Sequence, residues 1–216
     1  MRRAQLDALA PWSPRVTDVH TREDTIEAMA AALLRETEGP LVLCGASMGG
    51  MIAMEAARQA PDRIAGLALL GTDARPDSPE MIQLRTDAIA LFAQGRVREV
   101  IEPNIAFAFH PDHAPALAGS YLDFVLAAGA EQLIRQNRAV IARPDARSHL
   151  PKVRCPVLVL CGEADRLTPP ERSGEIAALA PAATLSMVPR SGHMLTMEQP
   201  AFVNAALSQW LAGLAD

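Results

Sequence analysis

Apolar positions along this chain follow two rhythms, and the change between them lays out the fold. Short unbroken apolar runs occur at Leu41, Val42, Leu43 and Cys44, at residues 65–70, and at Val157, Leu158, Val159, Leu160 and Cys161, and a further strand-length run, broken by Thr184 and Ser186, spans residues 183–188. Runs of this length, bounded by Gly, Pro or polar loops, predict strands covered on both faces, as in a parallel sheet. Elsewhere the spacing is helical. Ile26, Met29, Ala30 and Leu33 share one helix face, and Asp24 with Glu27 three residues on predicts a capping box for a helix that ends at Gly39 and Pro40. From residue 73 to 150 strand-type runs vanish. There Met81, Leu84, Ala88 and Leu91, and later Leu133, Ile134, Val140 and Ile141, predict amphipathic helices punctuated by Pro79, Pro103, Pro111, Pro115 and Pro144. The pattern predicts one α/β core, residues 1–73 and 150–216, interrupted by a helical insert at 74–149.

Composition narrows the reading. With 216 residues and 50% hydrophobic content the chain can bury a full core, and a single domain is the default. A formal net charge of -5 gives no electrostatic footprint for nucleic acid. No apolar stretch approaches a membrane span, and the start Met1-Arg2-Arg3-Ala4-Gln5-Leu6-Asp7 lacks the apolar segment of a secretory signal, so a cytoplasmic protein is expected. Cys44, Cys155 and Cys161 are odd in number and lie in or beside apolar strands. They predict free thiols, with no disulfide, metal site or cofactor.

The chemistry is concentrated at Gly45-Ala46-Ser47-Met48-Gly49-Gly50, between the first strand and the helical run Ile52-Ala53-Met54-Glu55-Ala56-Ala57. A serine at the apex of a strand-turn-helix must adopt strained backbone angles, and strand and helix approach so closely that neighbouring residues must be small. Gly45, Gly49 and Gly50 are small, and Ser47 is the candidate nucleophile. A serine hydroxyl needs an imidazole base, and the imidazole needs an acid to fix its tautomer. Both types occur just past later strands: Asp165 in Gly162-Glu163-Ala164-Asp165, and His193 in Pro189-Arg190-Ser191-Gly192-His193. His20, His110, His113 and His149 lack the strand-then-Gly-His context. Glu163 and Asp73 are the alternatives to Asp165. Asp62 and Arg63 are expected to cap a helix and pair locally, and Met48, Met51 and Met54 to fill the core.

These segments resemble the α/β-hydrolase superfamily over nearly the whole chain. Pro61-Asp62-Arg63-Ile64 is similar to the step after the nucleophile helix, Thr168-Pro169-Pro170 to the end of the acid loop, and Glu198-Gln199-Pro200 to the turn after the histidine. The resemblance implies an α/β-hydrolase fold, mostly parallel sheet flanked by helices, with residues 74–149 as a small cap. It makes Ser47 the nucleophile, His193 the general base, Asp165 the orienting acid and the Met48 backbone N–H an oxyanion donor. Phe92, Phe107, Phe109, Tyr121 and Phe124 would line a pocket under the cap or join cap to core.

The amino terminus departs from the family. The hairpin and third strand, with the loop that donates a second oxyanion N–H, have no counterpart. Residues 3–12 resemble the helix after that loop, and residues 14–19 the fourth strand, so the chain is expected to be N-terminally shortened. Loss of one oxyanion donor costs roughly 3–4 kcal/mol, a hundred- to thousandfold in rate. The strand at Leu41 would then be an apolar edge, open to homodimer formation, or would pair with residues 15–19. The expected function is hydrolysis of a small carboxylic ester or lactone through an acyl-enzyme, most like carboxylesterases and 3-oxoadipate enol-lactonases. The alternatives are a catalytically silent truncated module, a cofactor-free haloperoxidase or perhydrolase, and a carbon–carbon bond hydrolase.

Overall fold

The computed structural model describes residues 3–214; Met1 and Arg2, part of the start read as lacking a secretory signal, lie outside the described residues, as do Ala215 and Asp216. In chain order the helices are α1 (Arg3–Ala8), α2 (Val19–Arg22), α3 (Ile26–Arg35), α4 (Met48–Gln59), α5 (Pro79–Ala93), α6 (Val97–Ile101), α7 (Ala114–Ile141), α8 (Pro170–Leu179), α9 (Leu195–Glu198) and α10 (Pro200–Ala212). The strands are β1 (Leu41–Ala46), β2 (Ile64–Leu70), β3 (Val157–Gly162) and β4 (Ala183–Val188), and they form one parallel sheet in the order β1-β2-β3-β4.

Side chains of β2 show why its run is unbroken. Leu67 and Leu69 face one apolar cluster with Met54 of α4 and Ile176 of α8, while Ala68 and Leu70 face another with Val203 and Leu207 of α10. Burial of each such leucine contributes about 1.5–3 kcal/mol, so alternate residues stabilise both layers at once. A third cluster packs Ile26, Met29 and Leu33 of α3 against Met51, Ile52 and Ala56 of α4. No helix among the described residues is long and apolar enough to cross a membrane.

Three expectations require correction. Residues 14–19 form no strand: they run irregularly into α2, so β1 has only β2 beside it among the described residues, and Val42 on β1 is 43% exposed. The capping residue of α3 is Thr25, whose Oγ1 accepts the Ala28 N–H at 3.0 Å, while Asp24 pairs with Arg135 at 3.0 Å. The helix ends at Arg35 rather than at Gly39 and Pro40, and Arg63, in keeping with a capping role, donates to the Leu34 and Thr37 carbonyls at 2.7 Å each. It thereby satisfies acceptors at the helix end that no longer have intrahelical donors.

Between β2 and β3 every regular element is helical. Entry and exit of this segment are pinned together by a nearly buried ion pair, Arg143 to Asp77 at 2.8 Å, with Arg85 on the other Asp77 oxygen at 2.7 Å and the Arg75 carbonyl accepting from Arg143 at 2.8 Å. Gly129 interrupts α7 with φ 80° and ψ 163°, a conformation costly for any other residue, and divides it into two arms.

Candidate active site

Ser47 sits between β1 and α4 with φ 52° and ψ -119°. Its backbone is held from the end of β2: Ser47 N–H donates to the Leu70 carbonyl at 2.9 Å, and the Thr72 hydroxyl donates to the Ser47 carbonyl at 2.7 Å. Close packing enforces this turn. A Cβ at Gly45 would lie 2.1 Å from the Gly49 carbonyl oxygen, and one at Gly50 would lie 2.7 Å from Thr72. Gly49 is different from the sequence expectation, because nothing lies within 4 Å of its Cβ position. Met48 opens α4, so its N–H has no acceptor within the helix and is available to a ligand.

Asp165 and His193 meet directly. The carboxylate only accepts, so His193 Nδ1 donates to Asp165 Oδ2, at 2.9 Å, and Nε2 is left with its lone pair. Thr168 braces this pair, its hydroxyl 2.8 Å from Asp165 Oδ2 and 3.2 Å from His193 Nδ1. The other carboxylate oxygen accepts the Leu167 and Thr168 N–H groups, each at 2.9 Å. Burial opposes ionisation of Asp165, but the His193 hydrogen bond and charge, with the Thr168 donors, outweigh it and hold the carboxyl below its ordinary pKa.

The rival acids lie elsewhere. Asp73 accepts the Arg75 N–H at 2.9 Å and stands 3.4 Å from Arg172; Glu163 receives the Arg190 N–H at 3.4 Å. Neither touches His193. Ser47 Oγ and His193 Nε2 are not joined by a hydrogen bond, and the link between their loops runs through Gly71. This residue follows β2 with φ 48°, and a Cβ there would lie 3.2 Å from Asp165 Oδ2 and 3.5 Å from His193 Nδ1. Gly71 carries no recognisable motif, and only its place in the folded sheet shows its role.

A family model described as "Alpha/beta hydrolase family" matches residues 6–206. The chain belongs to the alpha/beta hydrolase family. This alpha/beta hydrolase is similar to a thermophilic esterase from Thermogutta terrifontis, solved with malate bound, at 30% identity and TM-score 0.87 over 98% of this chain and 84% of that one. It is 27% identical over 233 aligned positions to the pimeloyl-(acyl-carrier protein) methyl ester esterase of Aromatoleum aromaticum, covering 89% of this chain and 87% of that protein. At 24% identity and TM-score 0.78, over 87% of this chain and 73% of that one, the enol-lactonase of Burkholderia xenovorans LB400 shares the fold.

Two further features of this hydrolase bear on the site. Of the aromatic residues in the helical segment, Phe92 and Phe109 are buried, whereas Phe107 and Phe124 are exposed. Phe109 packs edge-on against Tyr121 at 5.6 Å, and its backbone abuts Gly192, so it joins the segment to the histidine loop. A cavity of about 320 Å³ lined by Arg58, Asp62, His149, Lys152 and Arg154 lies with Ile64 and Cys155 at the amino ends of β2 and β3, the opposite end of the sheet from Ser47.

Proposed function

We propose that the protein is a serine hydrolase that cleaves a small carboxylic ester or lactone, with Ser47 as nucleophile, His193 as general base, Asp165 as the acid that orients it, and Met48 N–H as an oxyanion donor. The observation that carries this reading is the braced Asp165–His193 pair at the same sheet end as a serine held in a strained turn. The two named esterases among the similar proteins support an ester as the substrate class. In this reading the helical segment between β2 and β3 is a cap over the site.

Each step follows from the hydrogen-bond order. His193 Nε2 takes the Ser47 proton as Oγ bonds to the substrate carbonyl carbon, and the resulting imidazolium is stabilised by the Asp165 carboxylate. Negative charge develops on the carbonyl oxygen, where the positive end of α4 and the Met48 N–H oppose it. Collapse expels the alkoxide, which receives the proton from Nε2; in a lactone it remains tethered to the acyl group. Water then gives a proton to Nε2, attacks the acyl-enzyme and releases the acid, returning the proton to Ser47.

An initial burst of p-nitrophenol from p-nitrophenyl acetate, stoichiometric with enzyme and lost in Ser47→Ala, is the expected result. Folded protein that gives no burst would favour the silent module. The open edge of β1 also supports a homodimer formed edge to edge. Sedimentation should then show a dimer that Val42→Lys converts to a monomer, and a monomeric parent chain would remove that expectation.

A further inference from the structure

His193 is gripped from the cap side as well as from the sheet. A Cβ at Gly162 would lie 2.2 Å from the Gly192 carbonyl oxygen, and a Cβ at Gly192 would lie 2.7 Å from the Phe109 carbonyl carbon and 2.8 Å from His110 N. The loop is therefore a single layer of backbone between the end of β3 and cap residues 109–110. Met194 N–H, just past the histidine, donates to the Ala108 carbonyl at 3.1 Å.

At the centre of this contact is a carboxylate with a fully buried side chain, that of Glu198. Its Oε1 accepts the Gly192 N–H at 2.9 Å and lies 3.4 Å from the Ser191 hydroxyl. Its Oε2 accepts the His110 N–H at 2.6 Å and stands 3.5 Å from His113 Nδ1, an atom sealed from solvent with no hydrogen bond. Around this centre, Asp112 receives Arg190 at 2.8 Å and faces His110 Nδ1 at 3.7 Å, and the His110 and His113 rings are 5.9 Å apart. A buried carboxylate is costly unless its oxygens are satisfied. Here one oxygen is satisfied by the histidine loop and the other by the cap, so neither partner can withdraw without leaving the carboxylate short of a donor.

We propose that Glu198 is a positioning residue that couples the cap to the histidine loop, so that the placement of the His193 imidazole depends on docking of cap residues 108–113. The coupling rests on the hydrolase reading for its catalytic meaning, but not for its structural content. It joins residues 88 positions apart in sequence, which explains why His110 and His113 carry no motif of their own. A cap displaced by substrate entry would loosen the imidazole, and a cap closed on bound substrate would restore it.

The test is nuclear magnetic resonance of histidine-labelled protein, with His193 assigned by its loss in His193→Ala, alongside fluorophosphonate labelling rates and thermal melts. Glu198→Gln can accept on only one side, because its amide NH₂ meets a donor on the other. In this folded variant the hydrogen-bonded His193 Nδ1–H resonance should shift upfield or broaden away, and Ser47 labelling should slow at least tenfold. His113→Ala, which does not touch His193, should move both readouts in the same direction by less. Unchanged His193 resonances in either folded variant would overturn the coupling, and if Glu198→Gln fails to fold, His113→Ala decides alone. Absence of labelling in the parent chain would sink the hydrolase reading while the resonance comparison still judges the coupling.

Discussion

Replacing Asp165 by Asn tests the acid at a cost that can be worked out atom by atom. Asp165 Oδ1 accepts two backbone N–H groups, and Oδ2 accepts from His193 and Thr168. The asparagine carbonyl will keep the two backbone donors, because turning the amide over would leave both unsatisfied in a buried site at about 1–3 kcal/mol each. The amide NH₂ then faces His193 Nδ1 and donates to it. That forces the imidazole proton onto Nε2 and removes the lone pair that should take the Ser47 proton. The same change of tautomer in a serine protease lowers kcat by about 10⁴, and a loss of about 10³–10⁴ is expected here, roughly 4–5.5 kcal/mol of barrier. The assay is the second-order rate of fluorophosphonate labelling and of p-nitrophenyl acetate turnover, with a thermal melt to show that the variant is folded. A folded Asp165→Asn chain within tenfold of the parent would refute the assignment and return attention to Glu163 and Asp73.

Four other substitutions have defined directions. Gly162→Ala should cost at least about 2 kcal/mol by forcing apart the β3 end and the histidine loop, whereas Gly49→Ala, with open space and a helical backbone, should be neutral or gain up to about 1 kcal/mol in urea unfolding. Arg143→Met should cost about 3 kcal/mol, because Asp77 remains buried with Arg85 as its one remaining cation among the described residues, and a loss below about 1 kcal/mol would show that the pair does not hold the two ends of the helical segment together. Burial lowers the His149 pKa, against the favourable influence of Glu55, the Met54 backbone and Asp145 and with the unfavourable influence of Arg58. The unfolded state therefore binds the proton first, and stability from neutral His149 is complete above about pH 6.5 and declines as pH falls toward the folded-state value. His149→Leu should flatten this part of the stability profile, and an unaltered slope between pH 7 and 5 would contradict it.

Much of the fold was legible because it rests on local signals. Three of the four strands have a continuous apolar run, and a parallel strand covered on both faces has no polar alternation to disguise it, whereas β4 is broken by Thr184 and Ser186 and is only partly buried. The turn at Ser47 was legible from its glycines, although the structure needs Gly45 and Gly50 and leaves space at Gly49. The failure at residues 14–19 has a physical cause: Val16, Thr17 and Val19 have strand propensity, but propensity does not supply a partner, and Val16 is 64% exposed while Val19 turns inward at the start of α2. Thr25 displaced Asp24 as the cap by a shift of one residue, within the ordinary ambiguity of helix ends.

The contacts around the site were legible only in part. Asp165 and His193 stand in strand-end contexts that a sequence displays, whereas the hold of Gly71 on the space beside them and of Glu198 on both Gly192 and His110 depends on backbone from distant elements. Glu198 was visible as part of Glu198-Gln199-Pro200 without any indication of what its carboxylate binds. Neither His110 nor His113 follows a strand, so the sequence gives no mark of their contact with Glu198.

The most direct test of the central claim is intact-mass measurement after exposure of the chain to a fluorophosphonate, alone and as Ser47→Ala, His193→Ala and Asp165→Asn. One adduct on the parent chain, mapped to Ser47, absent in Ser47→Ala and strongly slowed in the other two, is the predicted result. A folded parent chain that takes up no reagent, or an adduct that persists in Ser47→Ala, would contradict it.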